Sequence, residues 1–452
     1  MRITIIGAGI AGCTAAYFTR EVLGPDVEIV VLEGAPRIGG RVQSVELGGL
    51  EVEAGAEVIH SSNRHITTFV DQLGLHRVPK GPEVTTAERG GRADPAFGIW
   101  DGTSFDLVSS GSKFAMVTNM FVRYKLTLVS AMLLVRRAAQ NLLRIYDLQQ
   151  DGASFATPEG LLRSVNLYGL SQQASDEYFL ANHVSADFIR SLANPVSRAI
   201  YSQNSSINAL ASLVSLVGTG YAGGSIYAVR EGNKRICQIL LRLSGARVET
   251  ECPVRTLACF QSTTPGSLGY EIITRKGQRY RSNAVILAAP ISDAAIKFVG
   301  IDIPKEHIMQ EYKTMWVTCV AGSLNNTYFR VSASARLPDA ILTKERHDLP
   351  FLSLRRIGTT AESQPVYKVS SADSLSEEVL TELFKDRTQT VIRRWSAYPV
   401  LEPLNRLLPF RLQAGLYYVN TMEWIISAME TQVIASRNVV NLLSNDLHIF
   451  KS

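Results

Sequence analysis

Residues 2–12 read Arg-Ile-Thr-Ile-Ile-Gly-Ala-Gly-Ile-Ala-Gly, and the fold is decided there. Arg2 to Ile6 is a β-branched run suited to a buried strand. Gly7-Ala8-Gly9-Ile10-Ala11-Gly12 follows as a glycine turn, and CTAAYFTREVL (13–23) continues with helical character. A second apolar strand, Val27 to Leu32, ends on Glu33, 26 residues after Gly7. Each part has a physical task. Gly7 permits a tight turn, Gly9 lets backbone approach a pyrophosphate, and Gly12 lets the helix pack on the strand. Ile10 and Ala11 open the helix, whose free amides and dipole attract phosphate. Glu33, followed by Gly34, can accept hydrogen bonds from a ribose diol. Strand, turn, helix, strand and acid in this order predict an α/β protein with a Rossmann-type dinucleotide-binding domain.

Outward from this unit come Arg37-Ile38-Gly39-Gly40-Arg41, a short hairpin, and Glu53-Ala54-Gly55-Ala56-Glu57. This continuation resembles the FAD-binding flavoprotein oxidases and departs from simple NAD dehydrogenases. In that family the Gly-Gly-Arg segment, here Gly39, Gly40 and Arg41, wraps the second phosphate and ribitol. The segment Ala54, Gly55, Ala56 and Glu57 is then expected beside the flavin ring. Two distant segments agree. Tyr280 to Pro290 (YRSNAVILAAP), including Ala289, resembles a strand of the flavin amine oxidases. Cys252 to Leu257 resembles their adenine-side strand, with Val254 as the adenine contact. Gly415 to Asn420 reads as a further strand. The helix after it begins Ser427-Ala428-Met429, small enough to bring amides to the flavin pyrimidine or the pyrophosphate. Glu423 is expected to hydrogen-bond the flavin or its ribitol.

The whole composition narrows the alternatives. The 452 residues allow two or three domains, or one domain split by insertions. Apolar residues at 46% and charged residues at 19% exclude wholesale disorder and collagen-like repeats. Lys and Arg total 46 against 41 Asp and Glu, a spread-out +5 that lacks a nucleic-acid footprint. The five cysteines are odd in number and none form a CxxC pair, which favours free thiols and no metal site. The chain opens Met1-Arg2-Ile3 without a basic leader, so a cytoplasmic location is expected if Met1 is the native start. LTLVSAMLLV (126–135) is too short to span a membrane core of about 30 Å. Arg123, Lys125, Arg136 and Arg137 flank it, which fits a buried or amphipathic helix or, more sharply, a peripheral membrane contact.

In order along nearly the whole chain, the motifs resemble one branch, the prenylcysteine oxidases or farnesylcysteine lyases. They include Ile59-His60-Ser61, Arg144-Ile145-Tyr146, Pro195-Val196-x-Arg198, Tyr201-x-Gln203 and Gly232-Asn233-Lys234. Trp395-x-Ala397-Tyr398-Pro399, Tyr417-Tyr418-x-Asn420 and Ser427-Ala428-Met429-Glu430 complete the series. The resemblance implies oxidation of a lipophilic prenylated thioether: hydride leaves the allylic carbon next to sulfur and water adds there. The hemithioacetal collapses to prenyl aldehyde and cysteine, and O2 is reduced to peroxide. It implies FAD as cofactor and a lysosomal setting if a leader was removed. The lysine that many amine oxidases carry near the flavin has threonine, Thr318, as its nearest counterpart here. Candidate catalytic residues are His60 (placing water or taking a proton), Arg198 (pairing with a substrate carboxylate) and Tyr201, each with scaffolding as its alternative role. Trp395 and Tyr398 are candidate walls of the cavity. The stretches 83–106 and 339–374 match the family pattern poorly, and pocket walls are expected partly in the second.

Residues 1–82, 222–300 and 395–452 thus read as a discontinuous FAD-binding domain. Residues 83–221 and 301–394 read as an interleaved α+β substrate-binding cap. Helical spacing is expected over 112–150 and 157–182, and strands over 314–323 and 326–332. Two other functions stay open: an FAD-dependent oxidase or oxidocyclase of specialised metabolism acting on a lipophilic prenylated molecule, and a flavin-binding protein without turnover.

Overall fold

The computed structural model describes residues 1–80, 97–108, 113–219, 223–261, 268–403 and 406–449. Residues 83–96 of the first unmatched stretch lie outside them.

The strand Arg2–Ile6 is the axis of a six-stranded sheet. It pairs in parallel with Glu28–Leu32 on one side and Ala284–Leu287 on the other. Arg247–Glu249 extends the sheet in parallel at one edge, Leu416–Tyr418 at the other, and Arg411–Gln413 closes it antiparallel. The inner strands are buried on both faces, which explains their unbroken apolar runs. Helix Ile10–Leu23 covers one face, wedged between the helices Lys234–Ser244 and Met429–Ile449. Gly7 has φ +106°, and a Cβ there would stand 2.7 Å from the Ala288 carbonyl oxygen. A Cβ on Gly12 would stand 1.9 Å from the Gly7 carbonyl oxygen, so the turn and the helix interlock through bare backbone.

A smaller four-stranded sheet, in the order 279–282, 268–274, 254–261 and 297–299, flanks the adenine side. The cap combines a helical layer over 113–217 with a seven-stranded sheet. That sheet runs 384–399, 312–324, 365–371, 353–359, 340–343, 97–100 and 105–108. The strand Phe97–Trp100 from the first insertion pairs in parallel with Ala340–Thr343 from the second, so both insertions build one body.

Four expectations are corrected. The strand Phe384–Pro399 runs through position 395, so the cap sheet reaches beyond the boundary read from sequence. Its pairing with Tyr312–Leu324 holds Pro399 against Tyr312. Residues 326–330 form turns rather than a strand, with Arg330 at φ +52° and Phe329 buried against Trp100. The 112–150 region breaks into Lys113–Tyr124 and Leu126–Gln150 at Lys125, whose φ of +50° is non-helical. The 157–182 region becomes three short helices, Pro158–Ser164, Tyr168–Ser171 and Ser175–Ala181.

Replacing Gly12 with alanine forces the first helix off the Gly7 turn. We expect a loss of about 2 kcal/mol or more, together with loss of retained flavin. Thermal melting and the flavin-to-protein ratio of the purified variant check this; wild-type values for both would show that the turn yields easily.

Candidate active site

Between the dinucleotide sheet and the cap lies a cavity of about 1350 Å³. Single ligand pockets typically measure about 300–1,000 Å³, so there is room for an extended cofactor and a second molecule. Gly7, Gly9, Ile10, Ala11 and Glu33 line it, followed by Gly39, Gly40, Arg41, Gly55, Ala56 and Glu57. Ala289, Glu423, Ser427, Ala428 and Met429 also line it. A space of about 230 Å³ shares Gly7, Glu33 and Ala289 with this cavity and adds Gly34 and Val254. Gly12 and Ala54 lie off the walls: Gly12 packs on Gly7, and Ala54 is wholly buried in a small apolar cluster.

The glycine loops are tied together by backbone. Gly39 N–H donates to the Ala8 carbonyl at 2.7 Å. Glu33 braces the same corner, its two carboxylate oxygens accepting from Ala8 N–H at 2.7 Å and Ala35 N–H at 2.8 Å. Arg41 is held by Glu423 in a buried ion pair and donates to the Ala397 carbonyl at 2.9 Å. Burial opposes charge on Arg41, but Glu423 outweighs it and holds the guanidinium firmly protonated. Tyr312 also donates to Glu423, and Asn420 Nδ2 donates to it at 3.3 Å. In this structure Glu423 therefore orients Arg41.

Loop 53–57 is gripped from three sides. Asn233 donates through its side chain to the Ala56 and Glu57 carbonyls at 2.9 and 2.8 Å, and through its backbone to Glu53 at 2.5 Å. This is the physical content of the Gly-Asn-Lys motif. Lys368 Nζ donates to the Gly55 carbonyl at 2.8 Å. Burial, with Glu57 nearby, pushes the Glu53 carboxyl up to about 7 despite the Asn233 N–H. Glu57 is also buried, yet Arg355, Lys368 and Lys80 outweigh that and hold its carboxyl down at about 2. Glu430 of the Ser-Ala-Met-Glu motif accepts from His65 and Ile66 N–H at 2.8 and 3.0 Å and from the Tyr146 hydroxyl at 2.6 Å. It thereby pins the cap helix to the dinucleotide domain.

The proposed catalytic residues separate. His60 lines the cavity, but both ring nitrogens are engaged. Nε2 meets the Gly223 carbonyl at 2.9 Å, which requires the proton there, and Nδ1 accepts from Ser62 Oγ at 2.7 Å. Tyr201 also lines the cavity, edge-on to Tyr398 with centroids 5.6 Å apart. Burial, and for Tyr201 the neighbouring Tyr398, raises both phenols, Tyr398 to about 12, so neither is a ready base. Arg198 is off the cavity walls, beside Glu345 and partly desolvated. The carboxylate-pairing role foreseen for it is not supported by this position. Trp395 and Tyr398 stand in the wall as expected.

Sequence reading missed several cavity residues. Lys80, Arg355 and Lys368 line it, the last two from the unmatched stretch 339–374. Thr318 does occupy the strand where a lysine was sought, but Lys368, paired with Cys319 on the next strand, reaches the flavin-side loop instead. Asn420 and Gln432 are buried in the wall, and the Asn420 Oδ1 and both Gln432 amide atoms have no protein partner. Gln432 was findable: it lies four residues after Ala428, on the same helix face. These orphan polar atoms suit a polar cofactor. So does Gly9, where an added Cβ would meet nothing closer than 4.0 Å. The residues present fit FAD: the glycine loops and helix starts for its phosphates, Glu33 for a ribose, and Asn420 and Gln432 for its remaining polar groups. Among the described residues no cluster of metal-ligating side chains occurs, and all five cysteines are free thiols.

Comparison with known proteins decides the family. Residues 107–450 match the prenylcysteine lyase family model, and residues 5–73 match an NAD(P)-binding Rossmann-like domain. The chain belongs to the prenylcysteine lyase family. It is 28% identical to a farnesylcysteine lyase of Arabidopsis thaliana, across 98% of this chain and 87% of that one. It is 30% identical to prenylcysteine oxidase 1 of Bos taurus, across 98% and 88%. Solved structures share the fold. A putrescine oxidase superposes with TM-score 0.61 at 13% identity, each chain covered in full. A putative protoporphyrinogen oxidase from an Exiguobacterium superposes with TM-score 0.64 at 14% identity, covering 98% of both chains. The protein is an FAD-dependent oxidoreductase of the Rossmann type, and FAD is its cofactor.

Two measurements test this site. Gln432→Leu is expected to weaken FAD binding about tenfold or more by removing hydrogen-bonding capacity. Equilibrium dialysis with the deflavinated protein measures it, and unchanged affinity would remove Gln432 from the cofactor shell. The raised Glu53 carboxyl makes a stability contribution present at pH 5 and lost as pH rises through about 7. The loss is on the order of 2–3 kcal/mol. Glu53→Gln cannot ionise, so its melting temperature relative to wild type should climb between pH 5 and pH 8; parallel curves would mean that Glu53 is ionised throughout.

Proposed function

We propose that this protein oxidises a prenylcysteine, breaking its thioether to release a prenyl aldehyde and free cysteine, with O2 taking the electrons as peroxide. The supporting observation is the two-natured cavity. One end carries the glycine loops; the other is apolar, lined by Leu128, Met132, Val135, Leu192, Val196 and Leu216 of the cap helices. An isoprenoid chain fits such an arm, and burying it there is favourable at about 25 cal/mol per Å². Family membership favours this reading over ring closure on another prenylated molecule.

When bound, FAD supplies the acceptor for a hydride from the allylic carbon next to sulfur. Sulfur and the allyl π-system stabilise the positive charge left behind, so no strong protein base is required. That fits walls whose phenols, Tyr201 and Tyr398, stay protonated. Trp395, Tyr201 and Tyr398 wall the reacting end. The balance is one thioether, one water and one O2 in; one thiol, one aldehyde and one H2O2 out. His60, hydrogen-bonded at both nitrogens, positions loop 60–62 against Gly223 and is not needed as a base.

Access for so greasy a substrate is through a peripheral membrane contact. Helix Leu126–Gln150 turns Leu128, Ala131 and Val135 inward while Leu126 and Leu133 stay 78% and 60% exposed. Lys125, Arg136 and Arg137 are exposed beside them, whereas Arg123 turns to Asp106 at 2.9 Å. An anionic lipid surface matches both the apolar stripe and the cations. No helix among the described residues is long and apolar enough to cross a membrane.

Farnesylcysteine should bleach the flavin anaerobically and yield one thiol and one aldehyde per flavin reduced; bleaching by a prenylated aromatic but not by farnesylcysteine would favour the ring-closing alternative. Separately, the protein should co-sediment with phosphatidylserine-containing vesicles, and a Leu126→Ser/Leu133→Ser variant should not. Absence of vesicle binding by wild type would discard the membrane contact while leaving the chemistry intact.

A further inference from the structure

Three cations converge on one carboxylate at the flavin-side end of the cavity. Arg355 forms an ion pair with Glu57, and Lys368 Nζ stands 3.5 Å from the same oxygen. Lys80 feels both Glu57 and Arg355 but makes no ion pair with either. All four side chains line the cavity. The site is shielded: the Glu57 side chain is 7% exposed, that of Lys368 12% and that of Arg355 30%. Glu53, the next carboxyl, is pushed up by burial to about 7 and balances at most one of these charges. Among the described residues, the cluster of Lys80, Arg355, Lys368, Glu57 and Glu53 thus carries more cations than carboxylates in a desolvated wall, an arrangement that favours an anionic partner. Lys368 is already committed to the Gly55 carbonyl and Arg355 to Glu57, and among the described residues of the cluster the Lys80 ammonium alone has no hydrogen-bonded or ion-paired partner.

We infer that Lys80, backed by Arg355 and Lys368, is the subsite that binds the α-carboxylate of the S-prenyl amino acid. This rests on the prenylcysteine reading and extends it: Lys80 makes the enzyme discriminate the free acid of the S-prenyl amino acid from its ester or amide. Strand Arg77–Lys80 sets the ammonium at the cavity wall, next to loop 53–57. With the carboxylate fixed there and the prenyl chain drawn towards the cap helices, sulfur and its allylic carbon fall between the two anchors. One charged anchor and one apolar anchor are enough to orient the carbon that reacts.

The test uses the FAD-loaded enzyme and a ligand that cannot react. S-Pentadecylcysteine, which has no allylic C–H, and its primary carboxamide are titrated calorimetrically. Wild type should bind the acid about tenfold or more tightly than the carboxamide, the scale of one charge-assisted hydrogen bond. Lys80→Met should erase that preference with FAD content and melting temperature retained, and Lys80→Arg should restore it. Equal binding of acid and carboxamide by wild type overturns the inference. So does a preference that survives in Lys80→Met; a shifted flavin potential in that variant would then assign the surplus charge to the cofactor. Farnesylcysteine bleaching of the flavin is scored independently, so a failed carboxylate subsite is distinguishable from a failed prenylcysteine reading.

Discussion

Three loops meet backbone to backbone at the centre of this protein, and the cofactor groove exists because no side chain intrudes between them. Gly12 lies on Gly7, where a Cβ would stand 1.9 Å from a carbonyl oxygen. Gly39 donates its N–H to Ala8, and a Cβ on Gly40 would come within 3.2 Å of the Gly9 Cα. Gly55 faces the Arg41 carbonyl, again with 1.9 Å to a hypothetical Cβ. This stack brings residues distant in sequence into one groove and leaves their amides free to meet phosphate. The cap is then hung on the groove by polar contacts: Glu423 with Arg41 and Tyr312, and Glu430 with Tyr146.

The charges follow a consistent logic. The buried carboxylate of Glu423 is matched by Arg41 and tyrosine hydroxyl and amide donors, and its role is to hold the groove together. Glu57, by contrast, is over-matched by cations, so its surroundings keep capacity for another anion. The two ends of the cavity therefore select for different things: the apolar arm for a hydrocarbon chain, the cationic end for a charged head. A prenylated amino acid is the substrate that satisfies both.

Much of this was legible in the sequence because glycine spacing is dictated by backbone sterics. Gly7, Gly9, Gly12, Gly39, Gly40 and Gly55 could each be placed by the turn or close approach it permits. The Asn233 and Glu430 motifs were recognisable, although their roles as clamps emerged only from the hydrogen bonds. What escaped the reading depends on long-range pairing. Lys80 lies 275 positions before Arg355 on a strand of a different sheet, and no local spacing announces that it meets Arg355 and Lys368, which are direct cross-strand partners, around Glu57. Arg198 shows the converse case. Its motif was clear, yet its helix directs it to the neighbourhood of Glu345 rather than to the cavity. The strand expected at 326–332 failed because a β-like composition there serves a turn that plugs Phe329 into the cap core.

The bond broken first is the allylic C–H next to sulfur, and not the C–H beside the amino group. Anaerobic stopped-flow reduction of the flavin with farnesylcysteine carrying deuterium at C1 of the farnesyl group tests it directly. This label should slow reduction, whereas deuterium at the cysteine Cα should leave the rate unchanged. Slowing by the Cα label alone would contradict it and place the chemistry on the amino acid.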